Sequence, residues 1–258
     1  MATLSLKTVA KDVLGKTGPL SVNDDVFGYI WRNGGVFGAV TSGDTMPITK
    51  LPTARSVKSH LKSLSGRVLD LVIILVGYDV DSTVSAISPD DLTKIQYAIQ
   101  VTRELYAQAP LGIRHLNWQK ISPADADGYE DISDKDEATD LTDDWSGPDG
   151  GIDVFFVRSI GDAAGWSKVG GSCDKDEKGE RTGAVVSLQA MWSRRFTGIV
   201  LGHEIGHYLG LSHTNSIANM MGSDVDNDGI GETDDNSILI SAAEGGTMRS
   251  HCAVVDGI

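Results

Sequence analysis

No stretch of this 258-residue chain approaches the ~18 consecutive apolar residues that cross a bilayer, so no membrane span is expected. The longest apolar run, Leu71 to Val76, has the length of a strand. The first residues, Met1-Ala2-Thr3-Leu4-Ser5-Leu6-Lys7, lack a basic start followed by an apolar core, so a standard signal peptide is not visible. Three readings follow from that: the sequence begins after such a peptide, export uses another route, or the protein stays inside. Cysteine is scarce. Cys173 and Cys252 can form at most one disulfide, and they either pair or stand as two thiols. Positive charge is scarce beyond residue 67. Residues 1–67 carry nine Lys/Arg against four Asp/Glu, whereas residues 68–258 carry 13 against 32, within a net charge of −14. So acidic a body excludes nucleic acid as a natural partner. It suits an extracellular, calcium-containing setting. Internal repeats and low-complexity tracts are absent.

The charge step coincides with a change in pattern. Residues 1–67 are basic and weakly periodic, with one short amphipathic stretch, Thr53 to Leu64; they read as an annex or pro-segment. From 68 onward the pattern sharpens, and 68–258 reads as one domain. Leu69 to Val76 is a buried strand. Ser88-Pro89-Asp90-Asp91 opens a helix, with serine at the cap, proline in the first turn and acids at the positive end of the dipole. Leu92, Ile95, Ile99 and Leu105 continue one helical face to about residue 107. Ile113 to Ile121 is the next strand, and strand–helix–strand order implies a parallel pair. Residues 125–149 hold eleven acids and one lysine and read as a loop, a weak candidate for ion binding. Ile152 to Ile160, Ala163 to Val169 and Gly183 to Leu188 read as strands, the second of them a short edge. A helix is predicted from about Thr197 to Tyr208. The fold class expected is α/β, a twisted mixed sheet with a backing helix.

The strongest signal is His203-Glu204-Ile205-Gly206-His207-Tyr208-Leu209-Gly210-Leu211-Ser212-His213. Residues four apart lie on one helical face, so His203 and His207 can reach one ion. Glu204 sits beside the first ligand, close enough to serve as a general base without binding the ion. A straight helix could not deliver a third imidazole. Glycine accepts the left-handed conformation that ends helices, so Gly210 lets the chain turn and return His213 to the ion. Three neutral imidazoles and an open position suit catalytic zinc. A closed structural zinc site would want a fourth ligand, often cysteine, and no cysteine lies nearby.

H-E-x-x-H-x-x-G-x-x-H is the zinc signature of the metzincin metalloproteases, which this stretch resembles. The resemblance implies a zinc-dependent endopeptidase acting on protein or peptide substrates, with a methionine turn beneath the metal. Met221, eight residues past His213, fits that turn better than Met220, with a spacing similar to that in matrixins. It also implies an antiparallel edge strand that binds substrate, for which Ala164-Gly165-Trp166-Ser167-Lys168 is the candidate. Ser223 stands where astacins and serralysins have a tyrosine. Thr214 follows His213, as in pappalysin-like enzymes, although their long insert is missing. The subfamily, matrixin-like or pappalysin-like, stays open.

Asp224 to Asp235 alternates acids, then glycine, then acid, resembling an EF-hand-type calcium loop. Its ligands would be Asp224, Asp226, Asp228, Ile230 (by its carbonyl) and Asp235, the last replacing the usual glutamate. Asp44, in Gly43-Asp44, is a candidate latency switch resembling the astacin aspartate. A matrixin-type cysteine switch is absent, since no cysteine precedes Cys173. The working expectation is a secreted monomeric protease that binds Zn2+ and, at the second loop, Ca2+. The competing readings are a non-hydrolytic zinc- and calcium-bound binding domain and a calcium-dependent structural module. Glu204 speaks against the first and the three placed histidines against the second.

Overall fold

The computed structural model describes residues 39–40, 66–79, 85–148, 151–224 and 232–257. Asp44, the 53–64 stretch and the loop residues Asp226, Asp228 and Ile230 lie outside them. Among the described residues the main sheet runs in the order β1 (Ala39–Val40), β3 (Leu111–Ile121), β2 (Arg67–Val76), β5 (Ile152–Val157), β8 (Ala184–Ser187), β7 (Gly165–Ser167). All neighbours along this path are parallel except β7, which runs antiparallel to β8 at the edge. The fold is therefore α/β with one antiparallel edge, as expected. A short β9 (Val255–Asp256) also pairs with the start of β2, and β4 (Asp131–Ile132) with β6 (Ser159–Ile160).

The buried strand β2 lies centrally because both its faces are apolar, with Val68, Leu69 and Leu71 to Val76 all shielded from water. Asp70 interrupts that run at a register shift, where two residues of β3 oppose one of β2. Arg114, one of the two, grips the Asp70 carboxylate with Nε and Nη2, at 3.1 and 2.7 Å. Burial opposes ionisation of Asp70, yet the hydrogen bonds from His115 and Arg114 outweigh it and hold the carboxyl below its ordinary range.

Helix α1 (Pro89–Tyr106) begins as its sequence dictates. Ser88 and Asp91 form a reciprocal capping box, with Pro89 in the first turn. It packs against α4 (Arg194–Tyr208), whose residues from Thr197 to Tyr208 are all buried. Thr102 and Tyr106, one turn apart, donate to the carbonyls of Gly198 and Gly202, at 3.0 and 2.8 Å. A Cβ on Gly198 would stand 2.5 Å from Val101 Cβ, so only glycine allows this approach.

The acidic stretch 125–149 is not a plain loop. It holds α2 (Pro123–Ala126), β4 and the eleven-residue α3 (Lys135–Trp145). Asp134 caps α3 by accepting from the amides of Asp136 and Glu137, two acids that favour the helix N-terminus. Ala138, Leu141 and Thr142 supply its buried side. The density of acids hid that narrow apolar stripe. The single strand expected over 152–160 is split into β5 and β6 at Arg158, whose guanidinium pairs with Asp131. A last helix, α5 (Ala242–Ser250), was not anticipated, although Ser241 and Glu244 form its capping box.

Cys173 and Cys252, 79 residues apart, are joined as a disulfide that ties the segment after β7 to the segment after α5. A cross-link closing a loop of that size contributes about 4.5 kcal/mol in the chain-entropy account. Replacing both cysteines by serine should therefore lower the melting temperature by roughly 9–18 °C. An unchanged transition in calorimetry would contradict the bridge.

Candidate metal centre and active site

The site is assembled from four segments. Helix α4 supplies His203, Glu204 and His207 on its last two turns. Gly210 adopts φ +94°, the left-handed region, and the Leu211 amide returns to the Gly206 carbonyl at 3.0 Å. After that bend the chain brings His213 back. His207 Nε2 and His213 Nε2 lie 3.0 Å apart, and ligand nitrogens of all three histidines fall within 4.8 Å of one another. Three imidazoles on one zinc at about 2.0–2.1 Å each would have nitrogens about 3.3 Å apart in a tetrahedral arrangement, close to what the rings offer.

The outer nitrogens are held by the chain. His203 Nδ1 lies 2.9 Å from the Met220 carbonyl and His207 Nδ1 lies 2.7 Å from the Leu211 carbonyl. A carbonyl only accepts, so each Nδ1 donates and each Nε2 keeps its lone pair for a metal. His213 Nδ1 faces Asp224 Oδ2 at 3.8 Å. Burial, then repulsion from the neighbouring rings, drives His203 down to about 3. Burial likewise lowers His207, to about 4. Three imidazoles whose ring nitrogens converge in a shielded place, two of them with Nε2 left free by a carbonyl on Nδ1, are the donor set that zinc requires, so the residues fit the ion.

Met220 and Met221 are both fully buried beneath the helix. A Cβ on Gly206 would stand 2.7 Å from Met221 Sδ, which places this methionine directly under the turn between the two helical ligands. Asn219 shapes this methionine turn. Its Oδ1 accepts from the Met221 amide at 2.8 Å, and its Nδ2 donates to the Glu244 carboxylate of α5 at 2.9 Å.

Glu204 is 5% exposed and lies under the edge strand β7. Burial pushes its carboxyl well above the ordinary value. The strand is followed by Gly170 and Gly171, whose amides donate to the carbonyls of His207 and Tyr208 at 2.9 and 2.8 Å. These bonds satisfy the open end of the metal helix. Sequence reasoning missed this capping pair, and the adjacent glycines were its only signal.

Of the loop residues expected to hold calcium, Asp224 and Asp235 are among the described residues. Asp224 turns toward His213, whereas Asp235 accepts from the Ser193 hydroxyl at 3.2 Å, at the start of α4. Ser223 and Glu232 bond each other's backbone at 2.9 Å both ways, closing the loop before Asp235 is reached.

Shielded, converging imidazoles and a buried carboxylate on one helix, below an antiparallel sheet edge, form the candidate site. Residues 79–214 match the metallo-peptidase family M12B, reprolysin-like, and the chain belongs to that family. M12B peptidases are zinc-dependent, and the fold is of the zincin type. Among solved structures, one similar chain is metalloproteinase-II from Bacteroides fragilis, at 14% identity and a TM-score of 0.45, over 72% of this chain. The present chain spans 53% of that protein. Comparison with curated proteins gave no match.

Two outcomes follow for the centre. In chelator-stripped protein, His203 and His207 stay neutral while an unfolded chain would protonate both below about 6.5. The unfolded state then binds more protons, so stability falls as pH drops from about 6.5 toward 4, by about 1.4 kcal/mol per pH unit per histidine. Denaturant titrations at pH 7 and pH 5 check this, and His203→Gln should flatten the slope. Separately, Asp224→Asn should weaken zinc binding about tenfold, as loss of a carboxylate beside a ligand does. Chelator competition reads that change directly.

Proposed function

We propose that this protein is a zinc-dependent endopeptidase in which His203, His207 and His213 hold the metal and Glu204 is the general base. The observation that carries the reading is the convergence of three histidine ring nitrogens on the helix that also carries the buried carboxylate of Glu204. Bound zinc supplies Lewis-acid polarisation of water and of the scissile carbonyl. Glu204 takes the proton of the attacking water at its carboxylate and passes it to the leaving amine as the peptide bond breaks. The backbone of β7 orients an extended peptide by adding it as a further strand. Gly210 delivers the third ligand, and Met221 supports the turn between the first two.

The spacing from His213 to Met221 and the presence of Thr214 support a likeness to matrixin-like or pappalysin-like enzymes at this turn. The acidic body favours a secreted, monomeric enzyme acting on proteins or peptides. The charge contrast between residues 1–67 and 68–258 supports the former as a docking pro-segment, with Asp44 as its zinc-blocking group. Calcium at the 224–235 loop is part of the same reading, supported by its acid spacing.

Glu204→Gln should retain one zinc per chain by metal analysis while casein hydrolysis falls at least 1,000-fold, about 4 kcal/mol of barrier. Hydrolysis by that variant at the parent rate would remove Glu204 from the chemistry.

A further inference from the structure

Gly165 is the first residue of β7 and pairs with Val186 of β8. Its φ is not in the left-handed region, so backbone conformation does not demand glycine there. Space does. A Cβ built on Gly165 would stand 2.5 Å from Glu204 Oε1, 2.7 Å from Glu204 Cγ and 2.8 Å from Val200 Cγ1. Each is shorter than side chains tolerate. The usual escape, swinging the flexible end of the side chain into solvent, is closed here. Glu204 is 5% exposed and Val200 is 3% exposed. The strand cannot lift away at low cost either. Ser187 N donates to the Ala164 carbonyl at 2.9 Å, and Ser167 Oγ to the Gly183 carbonyl at 3.2 Å, which fixes both ends of β7 on β8. Further along, Gly170 and Gly171 fasten the same strand to the end of α4.

We infer that Gly165 is a positioning residue that sets where the Glu204 carboxylate stands. The missing side chain makes a notch in the sheet edge, and the carboxylate occupies it. One methyl group in that notch displaces the carboxylate and touches none of the three histidines. The effect is specific because the three other close glycines on this segment and helix guard different neighbours. A Cβ on Gly171 would meet the Tyr208 ring, one on Gly198 would stand 2.5 Å from Val101 Cβ, and one on Gly206 would stand 2.7 Å from Met221 Sδ. The inference rests on the general-base reading of Glu204 for its kinetic consequence, though its steric part does not.

The experiment is a double-mutant cycle on the full chain, comparing Gly165→Ala, Glu204→Ala and the two combined. Melting temperature is read on chelator-treated protein and zinc affinity by chelator competition. Gly165→Ala alone should lower the melting temperature by at least about 3 °C. Adding Glu204→Ala, which deletes Cγ and the carboxylate, should restore most of that loss. Additive effects in the cycle overturn the inference, whether or not the protein proves to be a protease. If Gly165→Ala does not fold, recovery of folding in the double variant supports the notch and failure to recover overturns it. In the folded single variant, kcat on a quenched peptide should fall about 100-fold, with KM and zinc affinity within about threefold of the parent. A kcat within threefold of the parent contradicts the positioning role. Absence of hydrolysis in the parent itself speaks against the protease reading and leaves the thermal cycle to decide the notch.

Discussion

Everything at this site depends on how closely other segments approach helix α4. Every residue from Thr197 to Tyr208 is buried, so the helix has no face turned to water. Gly198, Gly202 and Gly206 recur every four residues and form one stripe. Val101 packs onto the first, Met220 Sδ and Leu105 lie 3.2–3.3 Å from a Cβ on the second, and Met221 packs onto the third. Three glycines inside a helix cost about 3 kcal/mol relative to alanine. Packing offsets that cost, because α1 and the methionine turn then sit against bare backbone. Thr102 and Tyr106 convert the closeness into hydrogen bonds to helix carbonyls.

Close packing determines the electrostatics. With water excluded, the protonated forms of His203 and His207 are disfavoured and so is the ionised form of Glu204. The Met220 and Leu211 carbonyls then choose which nitrogen of each ring carries the proton. Met220 belongs to the turn that the glycine stripe admits, so the same contact that packs the helix orients the His203 ring. A divalent cation reverses the local charge balance, favouring ionised Glu204 while keeping the imidazoles neutral.

Much of this was legible in the chain. The zinc signature requires a helix, a bend and a return, and each part has a residue type that dictates it. The long strand β2 and helix α1 were readable because apolar period and capping signals agreed. Helix α3 was not, because its buried stripe is three residues among acids that read as a solvated loop. Helix α5 has a weak apolar pattern, with Gly245 and Met248 as its buried residues, so only the Ser241–Glu244 box announced it. Gly165, Gly170 and Gly171 looked like ordinary loop glycines. What they meet comes from α4, more than twenty residues away in sequence, and no local pattern encodes such an encounter. Asp224 was hidden for the opposite reason. The calcium-like spacing around it is a strong local pattern, while its placement beside His213 is set by the turn at Gly222, where φ is +65°.

The centre is also unusually nonlocal. Residues 165–173 form one wall, residues 194–213 the floor and the ligands, and residues 219–224 the support. None of these holds its place alone. The wall is tied to the chain's end by Cys173–Cys252, and His251 adds a contact from Nε2 to the Gly171 carbonyl at 3.2 Å. The support is tied to α5 by Asn219 and Glu244. The segment after α5 itself returns to β2, where Arg67 pairs with Asp256 at 2.9 Å and donates to the Val254 carbonyl at 2.7 Å. Loop closure over such separations is entropically costly and is recovered only when all the contacts form together. The placement of the three histidines therefore depends on contacts spread from β2 to the residues after α5, and not only on the helix that carries two of them.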